Sequence, residues 1–298
     1  MSRATPDAGA GRLVIEADRQ LAERIKSLAG QRMVFFAGLP GTGKSLLVHQ
    51  LAHLAARDRR GVQLLQWDVA RPIFEASSAA RRYPMVDGVT HGVVRRAAGV
   101  WVRHAVEAWR ARHADSDDVL IGETPFVGGR FVELARRLDD RAEALLTAGS
   151  CRFVIAVPSA DVRRHLEAER ERRTANPLHP REREDAPPHV LRELWRDLAE
   201  VARQLGIAGF PSGDGAAVAY DPLVYRRVYE TILRHRNVEA IALDVILPTE
   251  SLSVYDFTAP PSVLVPTEAD AEHFIRQVER RYPDLAALDR EMARWWEV

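Results

Sequence analysis

A lysine and a serine end the glycine-rich stretch "GLPGTGKS" near the start of the chain. Gly38, Gly43, Lys44 and Ser45 match the spacing G-x-x-x-x-G-K-[ST]. Glycines let the backbone curl so that successive amides face phosphate oxygens, and the N-terminus of a following helix adds a partial positive charge. The chain has only two lysines, Lys26 and Lys44, so it keeps a compact ammonium at this point although it otherwise uses arginine. The pattern predicts nucleotide binding.

The residues of this loop have separate expected roles. Lys44 would reach the β- and γ-phosphates, and Ser45 would ligate magnesium. The predicted nucleotide-binding residues are Gly38, Leu39, Pro40, Gly41, Thr42, Gly43, Lys44, Ser45 and Leu46. ATP and Mg²⁺ are the expected cofactors, and ATP is the default over GTP because adenine is usually held by apolar and backbone contacts that leave no sequence pattern.

The loop follows one of five short apolar runs that predict β-strands. Helical patterns separate these runs, which favours an α/β fold with a mostly parallel five-stranded sheet covered by helices on both faces. The predicted strands lie at 32–38, 62–67, 119–122, 152–157 and 238–247.

Together, the loop and the strand pattern resemble the P-loop kinase group, the nucleoside-monophosphate and small-molecule kinases built on an adenylate-kinase-like core. The resemblance is strong over residues 33–57 and schematic over the rest to about 247. The N-K-x-D motif of regulatory GTPases and the L-S-G-G-Q signature of transporter ATPases are absent from the sequence. The resemblance implies a P-loop NTPase fold and an ATP- and magnesium-dependent phosphotransferase. Its acceptor would be a small hydroxyl-bearing or phosphorylated metabolite.

Two further strand ends carry residues that the resemblance assigns to the site. Asp68 and Arg71 form a D-x-x-R after the second strand, similar to that of polynucleotide and adenylylsulfate kinases. Asp68 would position or deprotonate the acceptor hydroxyl and Arg71 would grip an acceptor anion, although Asp68 could equally be a helix cap. Glu123, after the third strand, stands where the group keeps a carboxylate that binds the waters of magnesium. Arg130 follows in a turn reminiscent of G-x-P-R.

An arginine-rich helix follows the fourth strand and corresponds to the lid of the group. A lid arginine stabilises the charge of the transferring phosphoryl group. Arg170 and Arg173 are the predicted lid arginines, on a helix that begins near Ser159 or Asp161. Neighbouring glutamates could instead pair with much of this run.

The chain divides into three predicted parts. Residues 1–11 form a flexible tail, 12–250 the P-loop core and 251–298 a C-terminal helical extension. Within the core, the largely helical stretch 69–117 is the expected acceptor insertion and 159–190 the lid region. The acceptor insertion offers Tyr83, His91 and Arg95 as candidate contacts, with His91 more typical of a surface or capping residue.

The composition limits the partners and the compartment. Lys plus Arg equals Asp plus Glu at 42 each in 298 residues, so the net charge gives no reason to expect duplex nucleic acid. The single cysteine, Cys151, lies in an apolar run and is expected to be a buried strand residue in a reducing compartment. No apolar run has the length of a membrane span or a signal peptide. The expectation is a cytoplasmic protein that contacts no membrane, with a nucleoside triphosphate and an unidentified small-molecule acceptor as partners.

Two other functions remain open at this stage. An ATP-driven switch or adaptor for a protein or RNA partner would also use the loop, and the long helical pattern near the C-terminus is the reason to consider this function. A toxin-type kinase would share the core and differ in its acceptor.

Overall fold

The computed structural model describes residues 13–86, 88–207, 218–249, 252–257 and 262–298. The tail predicted at 1–11 lies outside the described residues. The strands within these ranges are β1 (Met33–Ala37), β2 (Val62–Gln66), β3 (Val119–Thr124), β4 (Cys151–Pro158), β5 (Val238–Leu243) and β6 (Ser262–Val263).

Helices connect and cover these strands. Those in the described residues are α1 (Arg19–Leu28), α2 (Lys44–Arg57), α3 (Trp67–Ala76), α4 (Gly92–Arg112), α5 (Arg141–Leu146), α6 (Ala160–Ala175), α7 (Pro188–Gln204), α8 (Pro222–Ile232), α9 (Glu268–Arg281) and α10 (Leu285–Ala293). Short 3-10 helices add Val14–Ala17, Ala79–Arg82, Val127–Gly129, Val132–Leu134, Pro180–Glu184 and Val254–Phe257.

All strands of the described residues belong to one parallel sheet, in the order β5-β4-β1-β3-β2-β6. The predicted α/β fold with a parallel sheet is therefore confirmed, but the predicted count of five strands is wrong. The sixth strand, β6, pairs Ser262 and Val263 with Gln63 and Leu64 of β2. Two residues in a proline-flanked segment are too short to carry a periodic pattern, which is why the sequence does not predict this strand.

β1 lies in the middle of the sheet and is buried on both faces. Alternate side chains point to opposite faces of a strand. Phe35 belongs to a core cluster with α4 and α8, whereas Val34 and Phe36 belong to a second cluster with α1 and α2. A strand that is apolar at every position thus separates two hydrophobic cores.

The helix that follows β1 covers a different face from the helices that follow its neighbours. α2 contributes to the second core cluster, whereas α5, after β3, and α8, before β5, contribute to the first. Ligands of open parallel sheets collect where connections diverge in this way, at the carboxyl ends of the strands. The loop between β1 and α2 occupies that position.

The insertion and the C-terminal part are helical, as the sequence predicts. α3 and α4 occupy most of 69–117. α9 and α10 bury Phe274, Leu288 and Trp295 in the same cluster as α4, so this part of the chain completes the main core. Cys151 begins β4 and is buried, as expected, and burial raises the pKa of its thiol to about 12.

Candidate phosphate-binding and acceptor site

The glycine-rich loop turns sharply between β1 and α2. Gly43 has φ +83° and stands at the N-cap of α2, a conformation that glycine adopts without steric cost. Gly38 has φ +142°, and a Cβ there would collide with the hydroxyl of Tyr225. Gly43 is therefore required by its backbone conformation. Gly38 is required both by its backbone conformation and by its close packing against Tyr225.

Lys44 is the first residue of α2 and is buried. Its Nζ donates a hydrogen bond to the carbonyl oxygen of Leu39 at 2.7 Å. Burial lowers the pKa of Lys44 to about 8, and the carboxylates of Glu123 and Asp68 oppose that shift. The ammonium is thus held inside the loop by the loop's own backbone.

Ser45 and Glu123 meet although they are far apart in the chain. β1 and β3 are neighbours, so the residues after β1 face the last residues of β3. The Ser45 hydroxyl donates to Glu123 Oε1 at 2.8 Å, and Gln66 Nε2 donates to Glu123 Oε2 at 3.3 Å. Gln66 is a contact that the sequence did not suggest, and its position as the last residue of β2 is the signal that could have found it.

Asp68 lies in the first turn of α3, but it is not the cap of that helix. Gln66 occupies the N-cap position, and the carboxylate of Asp68 accepts no hydrogen bond from the described residues. The alternative that Asp68 only caps a helix is therefore wrong.

Asp68 combines an exposed side chain with several charged neighbours. Its side chain is accessible to solvent, yet crowding by protein atoms raises its pKa above the ordinary value, and the charge of Glu123 adds to the rise. Three positive side chains oppose the shift: Arg71, Lys44 and Arg130. The carboxylate is thus open to a small molecule and lies within electrostatic reach of three cations.

Arg71, the predicted grip for an acceptor anion, already has a partner. Its Nη1 forms an ion pair with Glu75 Oε2 at 3.1 Å, one turn along α3. Glu75 also accepts a hydrogen bond from Thr90 at 2.6 Å. Arg71 remains close enough to Asp68 to oppose the rise in the pKa of that carboxyl.

Arg130 lies near Asp68 as well. Asp68 opposes the lowering of the Arg130 pKa that burial causes. The guanidinium donates to the carbonyl oxygen of Val127 at 2.9 Å. The structure thus brings Lys44, Asp68, Glu123 and Arg130 to one edge of the sheet.

The two predicted lid arginines differ in their surroundings. α6 begins at Ala160 with Ser159 as its N-cap, as predicted. Arg170 forms an ion pair with Asp185, and its charge contributes to the lowered pKa of Lys44. Arg173 pairs instead with Glu182 at 2.9 Å. Arg170 is therefore within electrostatic reach of the loop, while Arg173 belongs to the internal contacts of the lid region.

Arg163 makes the closest contacts between the lid region and the loop. Its Nη1 donates to the carbonyl oxygens of Pro40 at 2.9 Å and Gly41 at 3.0 Å, and its Nε pairs with Glu167 at 2.7 Å. The side chain is buried. Sequence reasoning passed over this residue, although its position one turn after β4 places it nearest to the sheet edge.

Other candidates from the sequence have structural roles. His91 is the N-cap of α4, where its Nδ1 accepts a hydrogen bond from the backbone N–H of Val93 at 3.1 Å. Tyr83 donates its hydroxyl to Glu279 of α9 at 2.8 Å. Trp295 and Trp296 are buried in the main core and anchor the C-terminal end of the described chain there.

The donor set near the loop fits magnesium only in part. Among the described residues, no three His, Cys, Asp or Glu side chains come together as a metal cluster. Magnesium commonly keeps several waters and binds to one or two protein oxygens together with phosphate oxygens. Ser45 and Glu123 would supply such oxygens, and the rest would come from the nucleotide and water.

A cavity of about 800 Å³ lies away from this edge, between α4, α9 and the segment before α5. Its walls include the buried ion pair of Arg96 and Glu133. None of the loop residues lines it. We assign the candidate site to the sheet edge, because the accessible carboxylate and the glycine-rich loop are found there.

Comparisons of the chain with protein-family models, with curated proteins and with solved structures found no match. The resemblance to the P-loop kinase group therefore stays a hypothesis that rests on the residues of this chain. None of the helices in the described part of the chain is long and apolar enough to cross a membrane.

Proposed function

We propose that this chain is an ATP- and magnesium-dependent phosphotransferase that acts on a small hydroxyl-bearing or phosphorylated metabolite. One observation carries the proposal: groups from the ends of β1, β2 and β3 act on one another. Ser45 donates to Glu123 at 2.8 Å, and the pKa values of Lys44 and Asp68 each respond to the charge of Glu123. A phosphate-binding loop beside an accessible carboxylate is the arrangement that phosphoryl transfer to a hydroxyl requires.

The nucleotide half of the proposed site consists of the loop and its partners. Residues 38–46 would wrap the phosphates with backbone amides, and Lys44 would leave the carbonyl of Leu39 for the β- and γ-phosphate oxygens. Ser45 and Glu123 would hold magnesium, which when bound neutralises charge on those oxygens. Arg170 would add positive charge from the lid.

The acceptor half centres on Asp68. Its raised pKa brings the carboxylate closer to the range in which a base is efficient near neutral pH. Asp68 would accept the proton of the acceptor hydroxyl or hold that hydroxyl in line for attack. We propose a cytoplasmic location as well, since the reaction draws on that compartment's ATP.

Transfer of label from γ-³²P-ATP tests the proposal. Purified protein is incubated with magnesium and a fractionated small-metabolite extract, and the label is followed by chromatography. We expect label in a new small molecule with the native chain and with Lys26→Ala, and none with Lys44→Ala. Lys26 is exposed on α1 and is the other lysine of the sequence, so it is the matched control.

The opposite result would redirect the assignment. Label that stays in ATP, or leaves only as free phosphate, contradicts a small-molecule kinase. Stable ATP-dependent capture of a protein or RNA would then favour the switch or adaptor function.

A further inference from the structure

Two arginines stand side by side at the turn after β3. Arg95, in the first turn of α4, donates to the carbonyl oxygen of Gly128, and Arg130 donates to that of Val127 at 2.9 Å. A Cβ on Gly128 would lie 3.1 Å from Nη1 of Arg130 and 3.3 Å from Nη1 of Arg95. The two guanidinium groups therefore flank the same glycine.

Neither guanidinium forms an ion pair with a carboxylate of the described residues. Elsewhere in the described chain, buried arginines stand against carboxylates: Arg96 against Glu133 at 2.9 Å, Arg163 against Glu167 at 2.7 Å and Arg236 against Glu143 at 2.8 Å. Two neighbouring like charges without a paired carboxylate are unfavourable in a crowded environment, and here the charges of Asp68 and Asp289 oppose that effect without forming an ion pair with either guanidinium.

Arg32 and Arg60 are another neighbouring pair without an ion pair among the described residues, but they donate to two and three backbone carbonyls. Arg95 and Arg130 donate to one carbonyl each, so further donors on both side chains are open to an anion.

The electrostatics of the pair agree with the geometry. Burial first, and then the neighbouring charge of Arg130, lower the pKa of Arg95 to about 10, and Asp289 opposes the shift. Burial likewise lowers the pKa of Arg130. An anion between the two groups would relieve both effects.

The turn that carries Arg130 is also strained. Phe126 has φ +58° and Phe131 has φ +61°, which is rare for a bulky side chain. Both rings are buried in the main core, so packing holds the backbone in this shape. Strain of this kind is retained where the surrounding structure fixes it, and it concentrates at binding and catalytic sites.

Free donors remain on both side chains. Nη2 of Arg95, and Nε and Nη2 of Arg130, donate to no described atom and are not among the buried atoms without a partner. Solvent therefore reaches them. The N-terminus of α4, a helix of 21 residues, adds a partial positive charge near Arg95.

We infer that Arg95 and Arg130 form the binding site for a dianionic phosphate group of the acceptor, with Asp68 beside the hydroxyl that is phosphorylated. A phosphomonoester matches two unpaired guanidinium groups in charge and offers three acceptor oxygens to their donors. The acceptor is thus a phosphorylated metabolite. This inference rests on the proposed function. It assigns the contact with the acceptor anion to Arg95 and Arg130 rather than to Arg71, because Arg71 already forms an ion pair with Glu75.

Binding of inorganic phosphate to the Lys44→Ala protein tests the site without the contribution of the loop lysine. Equilibrium dialysis with ³²P-orthophosphate is compared among Lys44→Ala alone and Lys44→Ala combined with Arg95→Met, Arg130→Met or Arg112→Met. Arg112 is an exposed arginine at the other end of α4 and is the matched control. We expect Arg95→Met and Arg130→Met each to weaken binding about tenfold or more, and Arg112→Met to leave it unchanged.

The site is overturned if the Lys44→Ala protein shows no saturable phosphate binding, or if binding is insensitive to both methionine variants. Arg95→Lys and Arg130→Lys are measured in parallel and should also weaken binding, because they keep the charge and lose the planar fork. A labelled product without a second phosphate group would likewise overturn the inference while leaving the phosphotransferase standing. Absence of ATP binding by the native chain would instead remove the proposed function itself.

Discussion

The two halves of the candidate site differ in how their polar groups are paired. The loop side, which is the proposed nucleotide half, consists of residues 38–46 and Glu123, and the turn side, which is the proposed acceptor half, consists of Asp68, Arg95 and Arg130. On the loop side, Lys44 binds the carbonyl of Leu39, and Ser45 binds Glu123. On the turn side, Asp68 accepts no hydrogen bond from the described residues, and Arg95 and Arg130 form no ion pair with them. Cations in both halves donate to backbone carbonyls, so the difference lies in the carboxylates: Glu123 accepts two hydrogen bonds, and Asp68 accepts none from the described residues.

This contrast separates two ways of preparing a binding site. If a triphosphate binds the loop side as proposed, it must displace internal contacts, so binding exchanges one set of hydrogen bonds for another. A ligand of opposite sign on the turn side would instead add contacts that the chain alone does not make. Variants in each half should therefore fail at different steps.

The largest effect is expected for Asp68→Asn on the turn side. Removal of a base or of a hydroxyl-positioning carboxylate lowers transfer by about 10² to 10⁴-fold. ATP binding should be unchanged, because the loop side is intact. Transfer rates and ATP titrations measure the two quantities, with Asp115→Asn, an exposed aspartate, as the control. Full transfer by Asp68→Asn would exclude its assigned role.

Arg163→Met should disturb the loop side alone. The buried guanidinium satisfies the carbonyls of Pro40 and Gly41, so its loss should destabilise the fold by about 3 kcal/mol and weaken ATP binding. Arg164→Met is the matched control, since Arg164 is the next residue and is exposed. Urea unfolding gives the free energy of unfolding for both variants. Equal stabilities would mean that Arg163 does not support the loop.

Glu123→Gln should raise the magnesium concentration needed for ATP binding by about 10 to 100-fold. The amide keeps the size and the hydrogen bond with Ser45 but removes the charge. A magnesium titration at fixed ATP measures the shift, and ATP binding measured without magnesium serves as the reference. An unchanged magnesium requirement would remove Glu123 from the metal site.

The pH dependence of ATP binding should reflect the Lys44 pKa of about 8. Triphosphate binds the protonated form of the Lys44 amine, so the affinity of the protein for ATP should be highest below about pH 8. It should fall by up to about tenfold for each pH unit above that value. Titrations from about pH 7 to about pH 10 test this, and Lys44→Arg should bind weakly but with little dependence on pH, because a guanidinium stays protonated. A flat profile for the native chain would contradict the lowered pKa.

The loop side could be predicted from the sequence because its residues are contiguous. Glycine spacing, a preceding apolar strand and a following helical pattern all point to one local structure. Glu123 is added through the resemblance to the P-loop kinase group, and in the structure β1 and β3 do end at the same sheet edge. Prediction of Gln66 and Arg163 requires knowing which side chains at the end of β2 and the start of α6 turn toward the loop. A strand or helix pattern does not determine that.

The sequence names Arg95 and Arg130 as separate candidates but does not place them side by side, for a physical reason. Arg95 and Arg130 come together through packing of the α4 N-terminus on the turn after β3, where Phe126 and Phe131 adopt positive φ values. Local propensity argues against that conformation for phenylalanine. The D-x-x-R spacing suggested Arg71 as the contact for the acceptor anion. In the structure Arg71 forms an ion pair with Glu75, which lies four residues later and therefore on the same face of the helix.

The two-residue strand β6 has a consequence for the order in which the molecule folds. β2 exposes one edge of the sheet until Ser262 and Val263 pair with Gln63 and Leu64. During synthesis, that edge stays open until residues 262 and 263 have left the ribosome, and an open edge is a template for pairing with another chain. Truncation before residue 262 should therefore increase aggregation of the nascent protein, both because this edge stays open and because α9 and α10 no longer complete the main core, although the residues of the candidate site are already present.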